Sequence, residues 1–276
     1  FQLFYIKSVS VFIDQEVFGN YVILNIFVSL ITQVMLTVPS ASFHRYFNES
    51  VKSDIVREYR LTIFYVLALF VFMLSAHGFF YSGRYSVLAY VLIFCNIAFS
   101  SLFSVNQQVV LLELQRGRYL LFKVMESLSM YVFPVLTYLY FRQLESFIGG
   151  VAIGSALCFG VSQLLINRQL GKSARVLVMP KENIVKYLRY GYPILFSAAA
   201  SWTISMSDRY FVDYYFGVER VAQYSILVQF SGFGLIAGMF FSSYVNPIVL
   251  KDYAADRAQG MMSLKKYLMK RSPMDS

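Results

Sequence analysis

Ser205 to Gly217 reads SMSDRYFVDYYFG and sets Asp208 beside Arg209 near the end of an apolar run that starts around Tyr190. Ionisable groups in such a run normally face a protein interior or an aqueous cavity and find partners there. Two kinds of chemistry suit them: a carboxylate that carries a coupling proton or sodium ion, or an ion pair that holds two helices shut. The ordinary alternative is a structural pair that fixes a helix near the membrane interface. Adjacent residues of a helix point about 100° apart, so neither residue needs the other as its partner. No nucleophile–base arrangement, glycine-rich phosphate loop or metal-ligand spacing accompanies them. His44 and His77 lie far apart, and Cys95 and Cys158 each sit alone inside an apolar run. The sequence therefore predicts no catalytic residue, no metal and no cofactor, and the chain is not expected to be an enzyme.

The elements that must position these groups follow from composition. Of 276 residues, 58% are hydrophobic and 14% charged, with a mean hydropathy of +0.56. Soluble domains are typically about half apolar and about a quarter charged. Several uninterrupted apolar runs exceed the roughly 20 residues that cross a bilayer. They are too long for the roughly ten-residue alternating strands of a membrane barrel. The fold class expected is an all-α polytopic membrane protein. A net charge of +9 would suggest nucleic acid in a soluble protein; here it reads as the basic bias of cytoplasmic loops.

Hydropathy predicts a partial first helix over 1–13, then spans over about 20–43, 61–80, 86–112, 120–141, 147–166, 190–212 and 221–250. Lysines and arginines alternate with the connections. The odd-numbered ones are short and nearly uncharged. The even-numbered connections and the tail hold nineteen of the 24 basic residues, including Arg45, Arg57 and Arg60 in the second and Arg116, Arg118 and Lys123 in the fourth. The positive-inside rule puts those connections in the cytoplasm. The chain opens on Phe1 and stops soon after a basic tail, as a fragment of a longer protein would. GNYVILNIFVSLI from Gly19 also aligns with AQYSILVQFSGFG from Ala222, matching Tyr21, Ile23, Leu24 and Phe27 to Tyr224, Ile226, Leu227 and Phe230. Equal orientation of the two segments suits parallel six-helix repeats.

Tyr190-Gly191 and Pro193 open the seventh span, Asp208-Arg209-Tyr210 close it, and Phe216-Gly217 and Tyr224-Ser225 follow. This pattern resembles the seventh and eighth helices of the bacterial polysaccharide-repeat (O-antigen type) flippases, of the multidrug/oligosaccharidyl-lipid/polysaccharide exporter superfamily. EVFGNYVI, SFHRYFNES and LELQRGRYLLFKVMES resemble that family's second helix and fourth connection. The resemblance implies two six-helix lobes around a central cavity. Residues 1–175 would form the first lobe, 176–189 a basic cytoplasmic linker, and 190–276 the first two helices of the second lobe with a basic tail.

It also implies a cargo: an undecaprenyl-diphosphate-linked oligosaccharide repeat unit, carried across the bacterial inner membrane for surface polysaccharide synthesis. Membrane lipids, a coupling proton or sodium ion, and polysaccharide polymerase and chain-length proteins are the partners it suggests; nucleic acid is not among them. Arginine suits the diphosphate because its planar fork pairs two phosphate oxygens and keeps its charge. Substrate binding is expected at Arg45, Arg116, Arg118, Lys123 and Arg209. Each has an ordinary alternative as a snorkelling or headgroup-anchoring residue. Gating or ion coupling is expected at Asp208, Arg209 and Pro134, the last in mid-helix where it should kink or loosen the fifth span. Asn106, Gln107 and Gln108 either bind sugar hydroxyls or glue helices together. A drug or cation exporter of the same superfamily, a membrane-embedded polymerase or acyltransferase, and a non-functional remnant remain as alternatives.

Overall fold

A computed structural model describes residues 2–47, 52–80, 83–170 and 181–231. Within them run α1 (Gln2–Phe12), α2 (Gln15–Tyr46), α3 (Lys52–Phe80), α4 (Val87–Leu112), α5 (Arg116–Tyr131), α6 (Phe133–Phe141), α7 (Leu144–Leu170), α8 (Lys181–Met206) and α9 (Asp208–Phe216), and 218–231 is also helical. The described residues contain no strand. Most of the eighth expected span, the tail and part of the linker lie outside the described residues. The chain forms two compact units, Phe1–Tyr224 and Ser225–Ser276, and helices α1 to α9 all belong to the first.

Among the described residues, five stretches are long and apolar enough to cross a membrane: Gln15–Tyr46, Ile55–Phe79, Val87–Leu112, Arg116–Phe141 and Leu144–Ile166, of 23 to 32 residues. The chain is an all-α polytopic membrane protein. Large apolar side chains stay on the outside, Phe72 at 71% and Phe79 at 80% exposure. In water such a surface would be a liability; against lipid it is the proper solvent.

Local signals set the helix ends. The Asp14 carboxylate accepts the Glu16 N–H at 2.9 Å and caps α2, and Ser86 Oγ accepts the Ala89 N–H to cap α4. Arg45 occupies the last turn of α2, where a cation complements the helix dipole. Arg142, at φ 53°, caps α6 by donating its N–H to the Tyr138 carbonyl.

Three boundaries differ from expectation. α3 starts at Lys52 rather than near Leu61, so Arg57 and Arg60 lie on a helix and not in a loop. The fifth span breaks at Val132 into α5 and α6. Pro134 has no N–H to donate and its ring crowds the preceding turn, which accounts for the interruption. The seventh span begins at Lys181 and is interrupted at Ser207. There Thr203 and Ser207 turn their hydroxyls back to the carbonyls of Ala199 and Thr203, a pattern that bends helices.

The core lies among α2, α3, α4 and α7, where Leu24, Phe43, Ile63, Phe70, Ile97 and Ile148 are buried together. A second cluster, Phe103, Val110, Phe122, Cys158 and Ile166, joins α4, α5 and α7. Gly150 and Gly154 let α7 approach α6 and α5; a Cβ on either would run into Thr137 or Ser129. Small residues serve this purpose in membrane bundles, where lipid removes the hydrophobic drive between helices.

Candidate functional site

Successive spans alternate in direction, so the first unit has two ends. Ser42 on α2 bonds to Tyr187 on α8, and Gln108 late in α4 bonds to Ser40, so Arg45 shares one end of the unit with the start of α8 and the end of α4. At the other end, Arg84 reaches Asn20 near the start of α2, and Asp14 donates its N–H to Tyr138 Oη on α6.

A cavity of about 570 Å³ opens toward the Arg45 end, between α2, α3, α4 and the start of α8. Thr32, Leu36, Ser40 and His44 line it at four-residue spacing, one face of α2. Tyr59 comes from α3, Ser101, Ser104 and Gln108 from α4, and Tyr190 from α8. Arg45 brings a guanidinium to this lining. Its neighbour Tyr46 stacks on Tyr187, meets the Tyr190 ring edge-on and carries the Lys186 ammonium 3.8 Å above its face. The site therefore combines hydroxyls, an amide, aromatic edges and a fixed positive charge.

The α2–α8 wall of this region is tightly built. Gly191 lies against Val38 so closely that a Cβ would collide with the Val38 backbone. The Ser42 hydroxyl donates to the Tyr187 carbonyl at 3.0 Å, and the Tyr187 hydroxyl donates to Glu58 at 2.7 Å.

Asn106, Gln107 and Gln108 are consecutive residues late in α4, as expected. At about 100° per residue they point at three different neighbours. Asn106 donates to Ser162 on α7, Gln107 to Glu126 on α5, and Gln108 to Ser40 on α2. Asn106 also accepts from Arg60, whose Nη2 bonds Asn106 Oδ1 at 2.9 Å and Gln163 Oε1 at 3.1 Å. Asn106 and Gln107 thus glue helices, whereas Gln108 both bonds α2 and faces the cavity. Sequence reading missed the Arg60 cluster, because a hydropathy scan assigns a charged helical turn to a loop.

The other expected substrate-binding residues are placed elsewhere. Arg116 and Arg118 are exposed at the start of α5, with Arg118 bonded to Gln115. Lys123 pairs with Glu126 at 2.8 Å on the same helix. Arg209 is buried near the Arg84 end, where it donates to the Ser205 carbonyl and pairs with its neighbour Asp208 at 3.2 Å. The second Asp208 oxygen accepts the Tyr224 hydroxyl. The cavity lining thus holds Arg45 and none of the other four.

Also at the Arg84 end, the Arg84 guanidinium forks onto Asp213 of α9, Nη1 to Oδ2 at 2.8 Å and Nη2 to Oδ1 at 3.0 Å, while Nε donates to Asn20 at 3.0 Å. Among the described residues no group of three or more His, Cys, Asp or Glu side chains is placed to hold a metal ion. The chain matches no protein-family model, no curated protein and no solved structure.

Proposed function

We propose that this chain is the first lobe, with the start of the second, of an alternating-access flippase for polyprenyl-diphosphate-linked oligosaccharide repeat units in a bacterial inner membrane. The observation that carries the reading is the polar, Arg45-bearing cavity at one end of a lipid-facing bundle. Its volume falls within the roughly 300–1,000 Å³ of small-ligand sites, enough for a diphosphate and an adjoining sugar. Arg45 pairs with phosphate oxygens; Thr32, Ser40, Ser104 and Gln108 offer hydrogen bonds to sugar hydroxyls; the polyprenyl tail stays in the surrounding lipid. The basic even-numbered connections favour the cytoplasm for the Arg45 end, and such lipids are assembled there. Translocation breaks no covalent bond of the cargo, so the work is binding and gating.

The test is flipping by the full-length protein in sealed proteoliposomes, read as the share of lipid-linked oligosaccharide that an impermeant sugar-modifying enzyme reaches. Arg45→Glu is expected to lower the rate by at least about a hundredfold, since it sets a carboxylate against the diphosphate, and like-charge juxtaposition costs several kcal/mol. Wild-type flipping in Arg45→Glu, or tight binding of organic cations with none of the diphosphate lipid, would overturn the reading in favour of a different cargo.

A further inference from the structure

We infer that Arg84 and Asp213, with Asn20 as their brace, form the latch that closes the end of the pathway opposite the Arg45 cavity; the inference rests on the transport reading above. Asp208 and Arg209, the residues that sequence alone offers for this task, pair with each other across one peptide bond, so that ion pair joins no two elements. Lys123 and Glu126 likewise share one helix. Arg84 and Asp213 are 129 residues apart, one on the α3–α4 connection and the other on α9.

The geometry is that of a strong pair. Two parallel charge-assisted hydrogen bonds fix both the distance and the plane of the guanidinium. Nε is committed to Asn20, so the fork is aimed before Asp213 arrives. The two side chains are only 28% and 17% exposed, so solvent and salt screen them less than a surface pair.

The surroundings make a seal. Gly19 lies directly against the Val218 carbonyl, with no room for a side chain. Gln223 donates to Gln15 at 2.9 Å, and the buried Tyr85 donates its hydroxyl to the Asn20 carbonyl. From Asn20 to Arg45, α2 extends about 38 Å at 1.5 Å per residue. The closure and the cavity thus occupy opposite ends of one helix. Release of cargo at the Arg84 end requires α9 to leave the α3–α4 connection, which breaks both bonds of the fork.

The experiment uses full-length protein in which Cys95 and Cys158 are replaced by alanine and Thr37, on the cavity wall, by cysteine. Labelling by an impermeant maleimide is timed in sealed vesicles from the Arg84 side, with sidedness set by a control cysteine at Gln143. Asp213→Asn and Arg84→Ala are expected to speed labelling at least about tenfold, the scale of losing a charge-assisted pair. The exchanged pair Arg84→Asp with Asp213→Arg should return within about twofold of the parent.

Parent-like labelling in Asp213→Asn, which keeps the side-chain shape, overturns the latch even should Arg84→Ala fail to fold. Fast labelling that the exchanged pair does not reverse also overturns it. No lipid-linked sugar takes part in this assay. Fast labelling in a protein that binds no diphosphate lipid would therefore uphold the latch and sink the proposed cargo, and the converse result would do the reverse.

Discussion

The Trp202 indole N–H donates to Ser29 Oγ at 2.9 Å, joining α8 to α2 across 173 residues of sequence. With Gly191 packed on Val38 and Tyr187 bonded to Ser42, it forms a seam from Ser29 to Ser42 of α2 and from Tyr187 to Trp202 of α8. Gly191→Val should overpack this seam and lower stability by about 1–3 kcal/mol. Trp202→Phe, which removes one interhelical hydrogen bond, should cost about 1 kcal/mol. Thermal unfolding in detergent with both variants checks the order: the glycine substitution is the more damaging.

Asn106 bonds Arg60, Ser162 and Gln163 inside the bundle. Interhelical hydrogen bonds in membranes average about 0.6 kcal/mol, with maxima near 1.7. Asn106→Ala should therefore cost about 2 kcal/mol, and Arg60→Met in the same background should add less than it does alone, because the two share partners. A double-mutant cycle on detergent-solubilised protein measures this coupling.

Pro134 sits at the start of α6, immediately after the break at Val132. Pro134→Ala restores a hydrogen-bond donor and should make α5 and α6 one helix, raising stability by about 1 kcal/mol. If the break is a hinge for rocking, flipping slows in the same variant while binding of the cargo is unchanged. Equal rates in both proteins would assign the proline a purely structural part.

The spans themselves were legible because a run of some twenty apolar residues has few other uses, and Val87–Leu112 matches its hydropathy bounds to a residue at each end. What the sequence concealed depends on partners far along the chain. Arg57 and Arg60 carry charge, so hydropathy starts the third span only at Leu61; the helix begins before them at Lys52, and Arg60 finds amide acceptors on α4 and α7. The interruption at Ser207 comes from hydroxyls that compete for backbone carbonyls, a choice invisible to apolar counting. Asp208-Arg209 drew attention because two charges stood together; Arg84, alone in its connection, and Asp213, five residues beyond Asp208, gave no such signal until the fold brought them within 2.8 Å.

Arg118 and Arg45 separate charge in general from charge in the cavity. Arg118 lies at the start of α5, bonded to Gln115 and outside the cavity lining, so Arg118→Ala should leave affinity for a diphosphate lipid within about twofold.

The most direct measurement is the affinity of a short-chain polyprenyl diphosphate, with and without one attached sugar, for the full-length protein and its Arg45→Glu variant by titration calorimetry. The account predicts a loss of at least about a hundredfold, equal to some 2.7 kcal/mol, for both ligands. Equal affinity in the two proteins, or a loss matched by Arg118→Glu, would contradict a diphosphate site built around Arg45.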